Sequence, residues 1–234
     1  MHLFYQPNFS EITALTDDEA FHAAKVLRLR QGESVQVTDG KGSWYEAVVQ
    51  SSTPKNCILK VTNQILQPPR KYHIEIALAP TKNMDRIEWF VEKATEIGID
   101  KISFFYTKHS ERKTLKLERI HKIAVSAMKQ SLQAYLPEVA EVGDFEKWIV
   151  RQSDANTQKW IAHLPENEVP LHLLKAATEG ERYTVLIGPE GDFAASEIAL
   201  AQIHGFRMAT LGNTRLRTET AALAACQVLH HVNI

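Results

Sequence analysis

From residue 74 to the C-terminus, short apolar runs alternate with stretches of helical period, and this alternation constrains the fold more than any other feature. The run 74-IEIALA-79 has the length of a strand. The next segment, 84-MDRIEWFVEKATEIG-98, places Ile87, Phe90, Val91, Ala94 and Ile97 on one helical face, with Gly98 where a helix ends. A strand at 101-KISFFY-106, a helix near 116–131, a weaker helix near 144–151 and a short strand near 159–162 follow. The pattern closes with a strand at 183–187, a helix near 194–203, a strand at 206-FRMATL-211 and an Ala-rich helix from about 218. Strands alternating with helices make an α/β domain with a mainly parallel sheet.

Residues 1 to about 70 have a different texture. A short helix is expected near 17–28, with Asp17 and Asp18 as cap candidates. Two extended runs in 34-SVQVTDGKGSWYEAVVQ-50 flank Asp39-Gly40-Lys41-Gly42, a hairpin signal, and a further strand fits 57-CILKVTNQI-65. Several strands with one helix suggest a small barrel. Gln67-Pro68-Pro69-Arg70 is a stiff polar joint, so the boundary falls there, with domains at 1–70 and 71–234.

The charge balance, 27 Lys and Arg against 28 Asp and Glu, argues against a protein that coats itself in nucleic acid. It leaves room for a local basic patch that reads structured RNA. His22, Lys25 and Arg28 recur every three residues, with Arg30 close behind, and read either as a grip on a phosphate backbone or as a solvated basic face. Lys82, Arg86, Lys108, His109, Arg112 and Lys113 add positive charge later, with the same two readings. The start, MHLFYQPNF, lacks a secretory pattern, and no apolar run is long enough to cross a bilayer. Cys57 and Cys226 sit in apolar contexts and read as reduced core residues. A cytoplasmic chain without a membrane anchor is expected. No metal-ligand spacing and no G-x-S-x-G elbow occurs. Trp89, Trp148 and Trp160 read as core or interface residues, and Trp44 as a possible stacking platform.

Two loops follow successive strands late in the chain, where α/β sheets gather their ligands. In 188-GPEGDF-193, Gly188 and Gly191 permit tight backbone geometry, and Pro189 stiffens the turn. This is neither a dinucleotide fingerprint nor a P-loop, and Glu190 and Asp192 would repel a pyrophosphate. The segment reads either as a loop for a neutral or cationic ligand or as a tight turn whose acids favour the next helix. In 211-LGNTRLRTETAA-222, Thr218 is the expected N-cap, which leaves Arg215 and Arg217 outside the helix to meet an anion or to form local salt bridges.

The pieces 25-KVLRLRQGE-33, 81-TKNMDRIEWFVEKATEIGI-99, 129-KQSLQAYLPEV-139, 185-VLIGPEGDF-193 and 211-LGNTRLRTETAALAA-225 together resemble the RsmE family of bacterial ribosomal RNA methyltransferases. The resemblance spans the chain in order, and GPEG followed by LG-x-x-x-LRTETA is its specific part. It implies a SPOUT-class α/β domain with a C-terminal trefoil knot, preceded by a small PUA-like β-barrel. It further implies S-adenosyl-L-methionine as cofactor, a homodimer, and methylation of N3 of a conserved uridine (position 1498) in 16S rRNA of the small ribosomal subunit. Carried onto this chain, the cofactor residues are Leu186, Gly188, Gly191, Leu211, Gly212, Leu216 and Thr218. Arg217 and Glu190 are the catalytic candidates, Glu190 chiefly by ordering its loop. His22, Lys25, Arg28, Arg30 and Arg215 are the RNA-binding candidates.

Three positions depart from the family pattern. Lys129 stands where an acid is usual, Gln133 where an arginine is usual, and Asp192 where a second loop glycine is common. Two alternatives remain at this stage: a knotted methyltransferase acting on another rRNA or tRNA nucleotide, and a non-catalytic RNA-binding or assembly factor.

Overall fold

The computed structural model describes residues 2–165 and 170–234. Chain contacts divide it into two units, Met1–Pro69 with Val125–Leu136, and Arg70–Ala124 with Pro137–Ile234.

The first unit is a five-stranded sheet built from β1 (His2–Tyr5), β2 (Ala14–Leu15), β3 (Ser34–Thr38), β4 (Ser43–Ser52) and β5 (Cys57–Leu66). Its order is β1-β3-β4-β5-β2, with β1 parallel to β3 and the other pairs antiparallel. Alternate residues of β3 and β4 point inward, and Val35, Val37, Tyr45, Ala47 and Val49 join Phe4, Phe9, Ala20 and Leu59 in one core. The hairpin expected at Asp39–Gly42 is present. Asp39 Oδ1 accepts the N–H groups of Lys41 (2.7 Å) and Ser43 (3.0 Å), and Gly42 adopts φ 105.

The helix of this unit corrects two expectations. Helix α1 (Asp17–Phe21) is capped by Thr16, which makes no side-chain cap bond, so Asp17 and Asp18 are its first residues rather than its cap. A π-helical turn, His22–Val26, continues it, and the Leu27 N–H reaches the His22 carbonyl at 3.0 Å. This wider winding ends before Arg28, which sits at φ 56. His22, Lys25 and Arg28 therefore do not share one helical face, although all are exposed, as is Arg30. Lys129, the first departure from the family pattern, pairs with Glu19 at 2.6 Å and lies over the Phe4 ring.

The second unit opens with β6 (His73–Leu78), α2 (Met84–Ile97) and β7 (Lys101–Tyr106). Helix α3 (Leu117–Gln130) begins in this unit and ends in the first. Then come β8 (Glu138–Asp144), α4 (Phe145–Ile149), β9 (Thr157–Ala162), α5 (Leu173–Ala176), β10 (Arg182–Ile187), α6 (Ala195–Ile203), β11 (Arg207–Ala209) and α7 (Thr218–Val232). All six strands pair in parallel, in the order β11-β9-β10-β6-β7-β8.

Helices α4 and α6 cover one face of the sheet, where Phe105, Phe145, Trp148, Ile161, Leu186, Phe193 and Phe206 form the core. Helix α7 packs against α2, α5, β6 and β10. Gly98 ends α2 in the left-handed conformation, as its position in the sequence implied. Cys57 and Cys226 are both buried free thiols. Trp148 and Trp160 are buried, whereas Trp89 remains 42% exposed.

Strand order decides where a ligand fits. The chain runs outward from β6 to β7 and β8, then crosses to the other side of β6 for β9, β10 and β11. The order reverses between β6 and β10, and the carboxyl ends of the strands at such a reversal are the general ligand position in open parallel sheets.

Candidate active site

A cleft of about 700 Å³ lies at the C-terminal ends of β9, β10 and β11, where Ala162, Ile187 and Ala209 form its floor. The loop after β10 and the loop after β11 supply most of its wall, with Arg86 of α2 opposite. Its size lies in the range of small-molecule sites.

Side chains of one loop hold the backbone of the other. The Thr218 hydroxyl donates to the Gly188 carbonyl at 3.1 Å, and the Arg215 guanidinium reaches the Glu190 carbonyl at 3.4 Å. Glu190 in turn accepts the Lys82 N–H through Oε1 at 3.2 Å, so its carboxylate orders the loop against the end of β6. Phe193 packs against Phe105 and Phe145 at ring distances of 6.0 and 5.5 Å, which anchors the loop's far end in the core. Gly188 passes close to that ring, and a Cβ there would sit 3.1 Å from Phe193.

Asp192 adopts φ 62, a conformation that favours glycine and costs other residues about 1–2 kcal/mol. Its carboxylate offsets this strain locally. Oδ1 accepts the Phe193 N–H at 2.7 Å, and Oδ2 meets Nδ1 of His163 at 2.9 Å. Its carbonyl accepts from His109 Nδ1 at 3.0 Å. The left-handed turn at Asp192 is thus held by its own carboxylate and by two histidines, His109 after β7 and His163 after β9.

The expected site residues separate into two groups. Gly188, Glu190, Leu211, Gly212, Arg215, Leu216, Arg217 and Thr218 all line the cleft. Leu186 does not, because it faces the core beneath α4 and α6, and Ile187 takes the place at the floor. Gly191 lies outside the wall, packed against the His109 side chain at a distance that would leave a Cβ only 3.3 Å away. Thr218 is the first helical residue and Arg217 the N-cap of α7, which moves the cap one position upstream of the expectation. His22, Lys25, Arg28 and Arg30 belong to the first unit and are not among the residues of this wall.

Arg86 and His163 were not singled out as site residues. Arg86 reads as one more charge on an amphipathic helix, and only the fold brings α2 to the cleft. Its Nε stands 3.8 Å from Oε1 of Glu219, a buried acid in the first turn of α7. His163 directly follows β9, and its position after a strand was the available signal. Of the later basic residues, Lys108 pairs with Glu146 and Lys82 with Glu111, both at 3.1 Å.

The wall carries Arg86, Arg215 and Arg217 against Glu190 and Asp192, with His163 beside them. The acids are therefore balanced by arginines, and both are engaged by the protein. Leu211, Gly212 and Leu216 make no backbone hydrogen bonds within the described residues. Their N–H and C=O groups are left for a ligand with alternating donors and acceptors, as on the edge of a purine base.

Comparisons with known proteins place this arrangement in a family. Residues 68–230 match the model of an RNA methyltransferase domain, and residues 15–62 that of an RNA methyltransferase PUA domain. A structure from Porphyromonas gingivalis, described as a probable rRNA-methyltransferase, is 39% identical over 100% of this chain and 98% of that one, with a TM-score of 0.91. A protein of Legionella pneumophila solved with the bound cofactor SAM is 25% identical over 99% of this chain and 97% of that one, with a TM-score of 0.86. Ribosomal RNA small subunit methyltransferase E of Mycobacterium bovis is 29% identical over 95% of this chain and 88% of that protein. With its PUA-like N-terminal region and its SPOUT-type α/β domain, the chain belongs to the RsmE family of RNA methyltransferases.

Proposed function

We propose that the chain transfers the methyl group of S-adenosylmethionine to N3 of a uridine in 16S rRNA, within the small ribosomal subunit. The observation that carries this reading is the junction of the two loops, 188–192 and 210–217, in one cleft with Arg217 at the start of α7. The relative solved with SAM supports the cofactor, and the small-subunit enzyme of Mycobacterium bovis supports the RNA.

The cleft suits that cofactor, because free backbone groups at Leu211, Gly212 and Leu216 match an adenine edge and no lysine lines the wall. Bound there, S-adenosylmethionine supplies an electrophilic methyl group on a cationic sulfur. Arg217 stabilises the negative charge that develops on the uracil as N3 gives up its proton. Glu190 holds the loop through the Lys82 N–H, and Thr218 fixes the loop spacing. Arg215 is exposed and meets an RNA phosphate. His22, Lys25, Arg28 and Arg30, all exposed on the N-terminal unit, grip the RNA backbone in a salt-dependent way. The working form is a homodimer. Among the described residues no helix is long and apolar enough to cross a membrane.

The test is to treat unmodified small subunits, and separately free 16S RNA, with labelled S-adenosylmethionine and to map the label. Label on N3 of a single uridine in the subunit supports the reading. Label on another base, or none with the cofactor bound, refutes it.

A further inference from the structure

Methylation at a uracil N3 requires that nitrogen to lose a proton, and the proposed function so far leaves the acceptor unassigned. The titratable groups on the cleft wall are Arg86, His163, Glu190, Asp192, Arg215 and Arg217. Guanidinium groups do not accept protons. Glu190 is exposed and accepts the Lys82 N–H through Oε1, and Asp192 engages the Phe193 N–H and the His163 ring. Carboxylates are also weak bases for so weak an acid, whereas imidazole is the usual side chain for this work.

His163 has the required arrangement. It follows β9 directly, its side chain is only 16% exposed, and Nδ1 lies 2.9 Å from Asp192 Oδ2. An ionised carboxylate only accepts hydrogen bonds, so Nδ1 carries the hydrogen. In the neutral ring the lone pair is then on Nε2, for which the described residues provide no hydrogen-bond partner. A carboxylate that fixes the tautomer and steadies the protonated ring is the arrangement by which histidine serves as a general base. His109 supports it from behind, because its ring holds the Asp192 carbonyl and so the left-handed turn that aims the carboxylate.

Resting on the function proposed above, we propose that His163, oriented by Asp192, is the proton acceptor for the methylated nitrogen. The N3–H bond breaks as Nε2–H forms, and the N3 electron pair makes the new bond to the methyl carbon. The carbon–sulfur bond breaks with its electrons going to sulfur, which leaves as a neutral thioether. One positive charge passes from sulfonium to imidazolium, and Asp192 stands beside the ring that receives it. The imidazolium then returns its proton to water.

Three measurements test this on the full chain with unmodified small subunits. Nitrogen-15 spectra of the neutral His163 ring, with no RNA present, are expected to show hydrogen on Nδ1, and Asp192→Asn to move it to Nε2. His163→Gln is expected to lower the single-turnover methylation rate at least ~100-fold, while S-adenosylmethionine affinity stays within about threefold, the split expected of a group that acts in the chemical step. His163→Gly with added imidazole is expected to regain part of the lost rate. A His163→Gln chain that transfers methyl at the wild-type rate, or that loses rate only in proportion to cofactor affinity, overturns the proposal, as does hydrogen on Nε2 in the unsubstituted chain. If the wild-type chain places no methyl on uridine N3, the function proposed above falls and this role falls with it. Wild-type transfer beside an equally fast His163→Gln chain removes this inference alone.

Discussion

Acidification will weaken the second unit through one buried imidazole, that of His230 in α7. The ring is 8% exposed, its Nδ1 pairs with the Tyr72 hydroxyl at 2.9 Å, and its Nε2 is buried with no hydrogen-bond partner among the described residues. Burial pushes its pKa down to about 4, Arg70 acts in the same direction, and Asp100 opposes them. In the unfolded chain a histidine titrates near 6.5. The folded state therefore binds this proton less readily than the unfolded state, so stability is complete above about pH 6.5 and falls as pH drops toward 4. At about 1.4 kcal/mol per tenfold change in binding, the full effect is about 3.5 kcal/mol, of which about 1.4 kcal/mol is lost by pH ~5.5. Urea unfolding of the wild-type chain and of His230→Gln, measured side by side from pH ~7.5 to ~4.5, isolates the effect, because carboxylates common to both chains cancel in the difference. The gap between the two stabilities should shift by about 1.4 kcal/mol per pH unit below pH ~6.5 and stay flat above it. Parallel curves across the whole range would refute the assignment of a buried neutral imidazole at this position.

Three further outcomes follow from single contacts. Thr218→Val removes the hydroxyl bond to the Gly188 carbonyl, a loss of about 1 kcal/mol, and calorimetry should find S-adenosylmethionine bound several-fold more weakly. Arg217→Ala should keep cofactor affinity within a few-fold by calorimetry and lose most turnover in the subunit assay; equal loss of both would assign Arg217 a structural role. Gly42→Val places a Cβ 2.4 Å from the Tyr135 hydroxyl at a residue with φ 105, and should destabilise the first unit by more than about 2 kcal/mol in denaturant melts.

The α/β unit was legible because its signals are local. The buried strands β6, β7 and β10 are apolar but for their first residues and one interior polar residue each (Glu75, Ser103 and Thr184), and α2 carries both its apolar face and its terminal glycine. Strand β8 escaped notice for a physical reason. It is the sheet's edge, none of its residues is fully buried, and a register shift opposite Phe104 and Phe105 interrupts its alternation. Strands β1 and β2 were missed because they are short and gain their identity only from partners distant in sequence. The two cleft loops were found by their chemistry, and the fold brings both of them to one cleft. What sequence spacing does not carry is which side chains meet across strands. Strand order brings Arg86 and His163 to the wall, and the strand's facing turns Leu186 into the core while Ile187 meets the cleft. Asp192 reads as a loss of glycine freedom, and its contacts with the Phe193 N–H, His163 and His109 explain how the turn keeps its shape.

The measurement that bears most directly on the account is a crystal structure of the chain grown with S-adenosylmethionine. The cofactor should lie in the cleft between residues 188–192 and 210–217, with its adenine edge on the backbone of Leu211, Gly212 and Leu216 and its methyl group open toward Arg217. Cofactor density at any other place on the chain, or an empty cleft in a folded protein that calorimetry shows to bind no S-adenosylmethionine, would contradict it.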